Sequence, residues 1–345
     1  MRHTPVLKTE ILESLRLKPG DNVIDCTLGD AGHSEAMLEK ILPNGKLLGI
    51  DLDVEAVLRA KRFLYRFATA TAGSRLKAVK DRAVLVRENF ANLKKIVESN
   101  NFSPVNAILM DLGWSSPQFA ERGRGFSFLT DEALDMRYDA PCHCESSEAI
   151  PSDGSANTGI AASLRLLAMT NQTAADIVNS YNEQELAGIF KNLGEENLSK
   201  EIASAIVEFR KEKKIERTGE LTEIILQVYR TKLRTDKEIP WIGGLHPATK
   251  VYQALRIEVN HELDNLKKAL PQAVEVLSVG GRLAVITFHS LEDRIVKHFF
   301  KSIAHRQIKL VNKKPITASE AEVQENPRAR SAKLRVVEKL SIHNS

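Results

Sequence analysis

The chain has 345 residues, of which 43% are hydrophobic and 27% charged, with a formal net charge of +4. These values fit a soluble globular protein of one to three domains and exclude a wholly basic nucleic-acid coat, so any nucleic-acid surface is a local patch. Three cysteines (Cys26, Cys142 and Cys144) exclude a disulfide framework, no apolar run is long enough to span a membrane, and the opening MRHTPVLKTE lacks an apolar signal core, so a cytoplasmic location is expected.

The apolar pair Val23-Ile24 leads into Asp25-Cys26-Thr27-Leu28-Gly29-Asp30-Ala31-Gly32-His33-Ser34 and then Ala36-Met37-Leu38. This order predicts strand, glycine-bearing turn and helix, a turn that offers unpaired N–H groups to a ligand. Leu47-Leu48-Gly49-Ile50-Asp51 predicts a second strand whose terminal acid accepts ribose hydroxyls. The dinucleotide pattern G-x-G-x-x-G is absent, since position 27 is Thr, and Asp25 would repel a pyrophosphate. S-adenosylmethionine carries a sulfonium and an ammonium there instead, which an acid attracts. The expected cofactor is therefore S-adenosylmethionine.

Further strands are expected over 84–86 and 107–111, with helices near 34–42, 54–67 and 91–99, which together make a parallel α/β sheet. Asp111-Leu112-Gly113-Trp114-Ser115-Ser116-Pro117-Gln118 follows the fourth strand, where its start faces the cofactor crevice. An acid followed by a Pro-bearing turn at this place suits methylation of an exocyclic amine. That nitrogen is a poor nucleophile because its lone pair is delocalised into the ring. A carboxylate accepting its N–H bond makes it more tetrahedral and aims it at the methyl. Asp111 is the expected catalytic acid, and Trp114 is expected to stack on the target base or to join the core. Arg122-Gly123-Arg124-Gly125-Phe126-Ser127-Phe128 offers Arg122 and Arg124 to RNA phosphates, or else packs on its own two Phe rings.

Residues 140–171 are rich in small and polar types and are expected to form a flexible insertion. Cys142-His143-Cys144 within them has no second ligand pair nearby, so no metal is expected. Helical spacing governs 173–232, with capping boxes at Thr173/Asp176 and Asn182/Glu185. A helix over about 247–277, the pair Gly280-Gly281, a strand over 283–288 and a helix near 290–303 follow. Ser290 is the expected cap of that last helix, with Asp293 as its partner. From 326 to 339 five cations, including Arg328, Arg330 and Lys333, face one anion.

With these segments in hand, the chain resembles the bacterial 16S rRNA (cytosine-N4)-methyltransferase family, the RsmH or MraW type. The matching pieces are HTPVL at 3–7, DCTLGDAGHS at 25–34, GIDLD at 49–53, NFANL at 89–93 and DLGWSSPQ at 111–118. RGFSF at 124–128, LDMRYD at 134–139, HPATKVYQALRIEVNHEL at 246–263, GGRLAVITFHSLEDRIVK at 280–297 and NPRARSAKLR at 326–335 continue the likeness in order.

The resemblance implies a class I AdoMet-dependent methyltransferase fold, a Rossmann-like doubly wound sheet, with an inserted all-helical domain. The sheet domain would comprise 1–139 and 246–345, with the flexible insertion at 140–171 and the helical domain, for RNA recognition, at 172–245. It implies methylation of N4 of a decoding-centre (P-site) cytidine in the 16S rRNA of the small ribosomal subunit, by a monomer or homodimer. By the same match Ala31, Gly32 and His33 line the cofactor turn, Asp51 takes the ribose, Phe90 packs near the adenine, and Asp111 and Gln118 close the site.

Three features depart from the family pattern. Ala31 stands where Gly is usual, which leads to an expected negative φ there. Trp114 replaces smaller residues, and 140–171 exceeds the usual length. His289, at the end of the strand over 283–288, is expected either to act on the base or to be a satisfied structural histidine. His3 and the tail arginines are expected to contact RNA phosphates or to hold the fold. A non-catalytic ribosome-assembly factor, a DNA amino-methyltransferase and a nicotinamide dehydrogenase are the competing readings. Intact Asp51, Asp111 and Gln118 oppose the first. Leu112-Gly113-Trp114 in place of Pro-Pro-aromatic opposes the second, and the glycine spacing opposes the third.

Overall fold

The computed structural model describes residues 5–70, 82–113, 123–139, 172–235 and 245–341. It divides into two compact units, one formed by 1–115 with 263–345 and the other by 116–262. Trp114, Gln118, Arg122, His3, Cys142, Cys144 and the expected insertion 140–171 lie outside the described residues.

The first unit is a three-layer sandwich built on a seven-stranded sheet. Its strands are β1 (Asn22–Asp25), β2 (Lys46–Asp51), β3 (Ala83–Arg87), β4 (Val105–Asp111), β5 (Leu277–Thr287), β6 (Ile308–Leu310) and β7 (Lys333–Lys339). Their order is β3-β2-β1-β4-β5-β7-β6. Pairing is parallel from β3 to β5, and β7 runs antiparallel to both β5 and β6. This is the class I methyltransferase arrangement that the resemblance implies.

Because successive strand residues face opposite sides, each central strand feeds two cores. Val23, Leu47, Ala107, Leu109, Ala284 and Ile286 pack on one side with α1 (Lys8–Leu15), α2 (Gly32–Ile41) and α3 (Val54–Ala70). Ile24, Leu48, Ile50, Ile108, Met110, Leu283 and Val285 pack on the other. There they meet α4 (Leu93–Ser99), α10 (Glu262–Val276) and α11 (Ser290–Ile303).

The second unit is helical, with α5 (Ala174–Ser180), α6 (Glu183–Asn192), α7 (Ser199–Phe209), α8 (Thr218–Leu233) and α9 (Thr249–Asn260). Both expected capping boxes form, Thr173 with Asp176 and Asn182 with Glu185. Ile202 and Ile206 of α7 and Leu221 and Ile225 of α8 are fully buried, as their helical spacing requires.

Several expectations need correction. The single helix expected over 247–277 is two, α9 and α10, separated by His261 in the left-handed conformation (φ 50°). Helix α9 packs with α5 and α6, so the compact units part at 262 rather than at the expected domain limit of 246. Helix α11 is capped by His289 with Glu292 and not by Ser290 with Asp293. The apolar-rich strand expected at 283–288 starts earlier, at Leu277, and Gly280-Gly281 lies within it, where pairing jumps from Val105↔Leu277 to Ala107↔Arg282. The tail, whose arginines are expected to meet RNA phosphates or to hold the fold, also contributes the largely buried strand β7, an element not expected from the sequence.

Asp293 is instead the partner of Arg335, which lies in β7 and is 9% exposed. Its Nε and Nη2 donate to the two carboxylate oxygens at 2.7 and 3.1 Å. Asp293→Ala leaves that guanidinium shielded and without its carboxylate. The variant is expected to lose about 3 kcal/mol of stability in urea unfolding, while Arg335→Met with Asp293→Leu loses less.

Candidate functional site

The candidate site is built where β1, β2 and β4 end at their carboxyl edges. Strand β1 is paired on both sides, and the chain leaves it in one direction and leaves β4 in the other. A crevice forms at such a switch point because the backbones diverge.

The turn after β1 is held from below. Asp25 is 1% exposed, and both its oxygens are engaged. Oδ1 accepts from the Thr27 amide at 3.1 Å, and Oδ2 accepts from the Ser34 hydroxyl at 2.7 Å. Burial raises its carboxyl above the usual range, partly offset by the Ser34 hydrogen bond and the nearby His33. At this depth Asp25 acts on a cation only through space, and its direct contacts anchor the turn.

Gly29 has φ +48°, a conformation that favours glycine. Gly32 is required for a different reason, since a Cβ there would lie 2.6 Å from Pro5 Cγ. Ala31 overturns the expectation of negative φ. It has φ 60° and ψ 25°, caps α2 and is fully buried. An alanine held in this region carries about 1 kcal/mol of strain that the packing around it must overcome.

Asp51 ends β2 partly exposed. Its Oδ2 accepts from the Gly29 amide at 2.8 Å and Oδ1 from the Asp53 amide at 2.9 Å. Burial pushes its carboxyl up to about 6. Asp53 in turn accepts from the Glu55 amide at 3.0 Å at the start of α3. Arg59 of α3 reaches back to Asp30 at 3.1 Å, tying helix to turn. Phe90 opens the 3-10 turn Phe90–Asn92, which Asn89 caps, and rests partly buried on the second core.

Asp111 ends β4. Its amide donates to Thr27 Oγ1 at 2.8 Å, Oδ1 accepts from the Gly113 amide at 3.1 Å, and Oδ2 lies 3.3 Å from His33 Nε2. That imidazole nitrogen is buried and makes no hydrogen bond among the described residues. The structure therefore brings Ala31, Gly32, His33, Asp51 and Asp111 around one crevice. Thr27, Ser34, Asp53 and Arg59 support them, and sequence reasoning assigned none of these four a role. An Asp-x-Thr at a strand end was the available signal for Thr27.

His289 is engaged in its own turn. Its Nδ1 accepts from the Glu292 amide at 3.4 Å, and its Nε2 lies 3.1 Å from Glu292 Oε1. This is the geometry of a helix cap. Arg124, in the second unit, is 8% exposed, and its Nη1 donates to the Tyr138 carbonyl at 3.4 Å. The rings of its loop are used internally. Phe126 stacks on Tyr138 with centroids 5.7 Å apart, and Phe128 stacks on His246 at 4.4 Å. In the tail, Arg328 and Arg330 are exposed on either side of the buried Ala329. Lys333 lies 4.0 Å from Asp293. Among the described residues no helix is long and apolar enough to cross a membrane.

A glycine-bearing turn, an acid at each of three adjacent strand ends and a seven-stranded sheet with one antiparallel strand define a methyltransferase of class I. The chain belongs to the MraW methylase family, whose model matches residues 1–152 and 161–340. It is 43% identical over 338 residues to a ribosomal RNA small subunit methyltransferase H from Dictyoglomus thermophilum, covering 98% of this chain and 96% of that one. Proteins of the same name from Clostridioides difficile and a Sulfurihydrogenibium species are 38% and 40% identical. The first alignment covers 98% of this chain and 99% of the relative, the second 97% and 98%. The chain is thus a methyltransferase, and the cofactor of this family is S-adenosylmethionine.

The residues present fit that cofactor. Asp51 keeps acceptor capacity for a ribose diol, the buried His33 Nε2 makes no hydrogen bond among the described residues although it faces Asp111 Oδ2 at 3.3 Å, and the acids suit a sulfonium and an ammonium. Below about pH 6 Asp51 takes up a proton in the free protein and loses acceptor strength. Affinity for S-adenosylmethionine is therefore expected to fall as pH drops through that value, by up to about tenfold per unit. Calorimetric titration from pH 5 to 8 checks this, and Asp51→Asn should flatten the dependence.

Proposed function

We propose that this protein methylates N4 of a decoding-centre (P-site) cytidine in the 16S rRNA of the small ribosomal subunit. The observation that carries the reading is Asp111, a partly exposed carboxylate at the end of β4, held beside the cofactor turn by Thr27 and facing His33. The names of the relatives supply the RNA. A carboxylate at this place supplies the preference for an amine.

S-adenosylmethionine, when bound, supplies an electrophilic methyl group. Asp51 holds the ribose hydroxyls, Phe90 flanks the adenine, and residues 31–33 line the turn, with Gln118 completing the cofactor site. Asp111 accepts one N–H of the cytosine amine. That hydrogen bond returns electron density to the nitrogen and orients its lone pair for in-line attack. The proton lost from the nitrogen passes to the Asp111 carboxylate, beside the His33 imidazole. General-base assistance of this kind contributes about 10²–10⁴-fold.

Trp114 stacks on the target base. Arg122, Arg328, Arg330 and Lys333 meet phosphates, the helical unit takes part in RNA recognition, and residues 140–171 serve as a linker. Arg124 and His289 are assigned to holding their own loops, since both side chains are engaged there.

The direct test is transfer of labelled methyl groups to small-subunit particles lacking the modification, with nucleoside analysis of the product. N4-methylcytidine at a single site is expected, and no transfer despite measurable cofactor binding would overturn the reading. Asp111→Ala is expected to lose transfer by at least about 10³-fold while cofactor affinity changes by at most about tenfold, ~1.4 kcal/mol. Neutralising Arg328, Arg330 and Lys333 together should weaken RNA binding and reduce the slope of log K against log salt by about 2. An unchanged slope would give the tail a structural role only.

A further inference from the structure

The amide of Asp111 lies just beyond the β1–β4 ladder, whose last pair is Asp25 with Leu109. One step earlier the Cys26 amide donates to the Leu109 carbonyl at 2.9 Å, and the strands then part as β1 enters its turn. The next acceptor is a side chain. Thr27 Oγ1 takes the Asp111 amide at 2.8 Å. Thr27 is itself pinned by its own amide to Asp25 Oδ1 at 3.1 Å, and its hydroxyl lies 3.5 Å from the same oxygen.

The second oxygen of Asp25 takes the Ser34 hydroxyl, which belongs to the first turn of α2 next to His33. One carboxylate, 1% exposed, thus holds two arms. The Thr27 arm seats the backbone of Asp111, and the Ser34 arm seats the helix that carries His33.

We infer that Thr27 and Ser34, joined through Asp25, are positioning residues that set the distance between the amine-binding acid Asp111 and the cofactor turn. The inference rests on the proposed function. Neither side chain needs to touch substrate or cofactor. Their effects separate because the two arms end on different groups. Thr27 controls where the Asp111 carboxylate stands, which bears on turnover. Ser34 controls the start of α2, which bears on cofactor binding. A small displacement of an aligned group is enough for a large loss in rate.

Thr27→Val keeps the shape and β-branching of the residue and removes the acceptor. It is expected to lower kcat about tenfold, equal to ~1.4 kcal/mol, with the dissociation constant for S-adenosylmethionine changed less than about threefold. Thr27→Ser restores the acceptor and is expected to recover kcat to within about threefold. Ser34→Ala shows the reverse pattern, weakening cofactor binding about fivefold or more with kcat changed less than about threefold.

Parallel losses in kcat and affinity in both variants would reduce the clamp to a folding element and overturn the inference, as would full kcat in Thr27→Val. Hydrogen exchange at the Asp111 amide reads the same contact without turnover. Protection should fall in Thr27→Val and persist in Thr27→Ser, and unchanged protection in Thr27→Val overturns the inference. The wild type assayed on the same particles separates the two failures. If it transfers no methyl the proposed function fails, whereas the exchange data still decide the clamp.

Discussion

Strand β1 is the constraint on which the first unit depends. It is only four residues long, yet it is hydrogen-bonded to parallel neighbours on both sides, β2 and β4. A strand in that position must be apolar on both faces, and Val23 and Ile24 supply one residue to each core. Its last residue, Asp25, breaks the rule. A carboxylate 1% exposed is costly unless hydrogen-bonded, and the Thr27 amide and Ser34 hydroxyl meet that need. Satisfying the acid and shaping the turn are therefore the same set of bonds.

The electrostatics of the crevice follow from this frame. Asp25, Asp51 and Asp111 end three neighbouring strands, so acids accumulate where a dinucleotide fold would present amides to a pyrophosphate. Burial works against ionising Asp25 and Asp51, raising the first above the usual carboxylate range and bringing the second to about 6. The sulfonium and ammonium of S-adenosylmethionine would offset that cost, and its ribose diol would satisfy an acceptor without adding charge. For the proposed amine methylation, the end of β4 would have to supply one well-placed acceptor for an N–H. Asp111 is held at its amide by Thr27 and at Oδ1 by the Gly113 amide, which leaves Oδ2 to face His33.

The helical unit shows a different economy. Arginine and aromatic side chains that look exposed in a glycine-flexible loop are drawn inward. Arg124 donates to a carbonyl, Phe126 stacks on Tyr138, and Phe128 is held between His246 and Tyr252. Side chains that suit RNA in isolation also suit a loop that has to satisfy its own backbone, and composition alone does not distinguish the two uses. The tail behaves similarly. Arg335 is neutralised by Asp293 inside the sheet unit, whereas Arg328 and Arg330 remain on the surface.

The sequence by itself determined the parallel strands β1 to β4, the helices between them, the capping boxes of the helical unit and the chemical character of the crevice. All of these are written in short-range patterns: apolar runs ending in acids, glycines in a turn, an oxygen side chain three residues before an acid. Only the tertiary structure decided that β7 lies between β5 and β6, that α9 joins the helical unit, that Ala31 occupies the left-handed region and that His289 rather than Ser290 caps α11. It also revealed the clamp of Thr27, Asp25 and Ser34 on Asp111. The strand order, the place of α9 and the bond from Asp111 to Thr27 depend on partners far along the chain, 84 residues in the last case, and a local pattern carries no record of which distant group will be hydrogen-bonded to it.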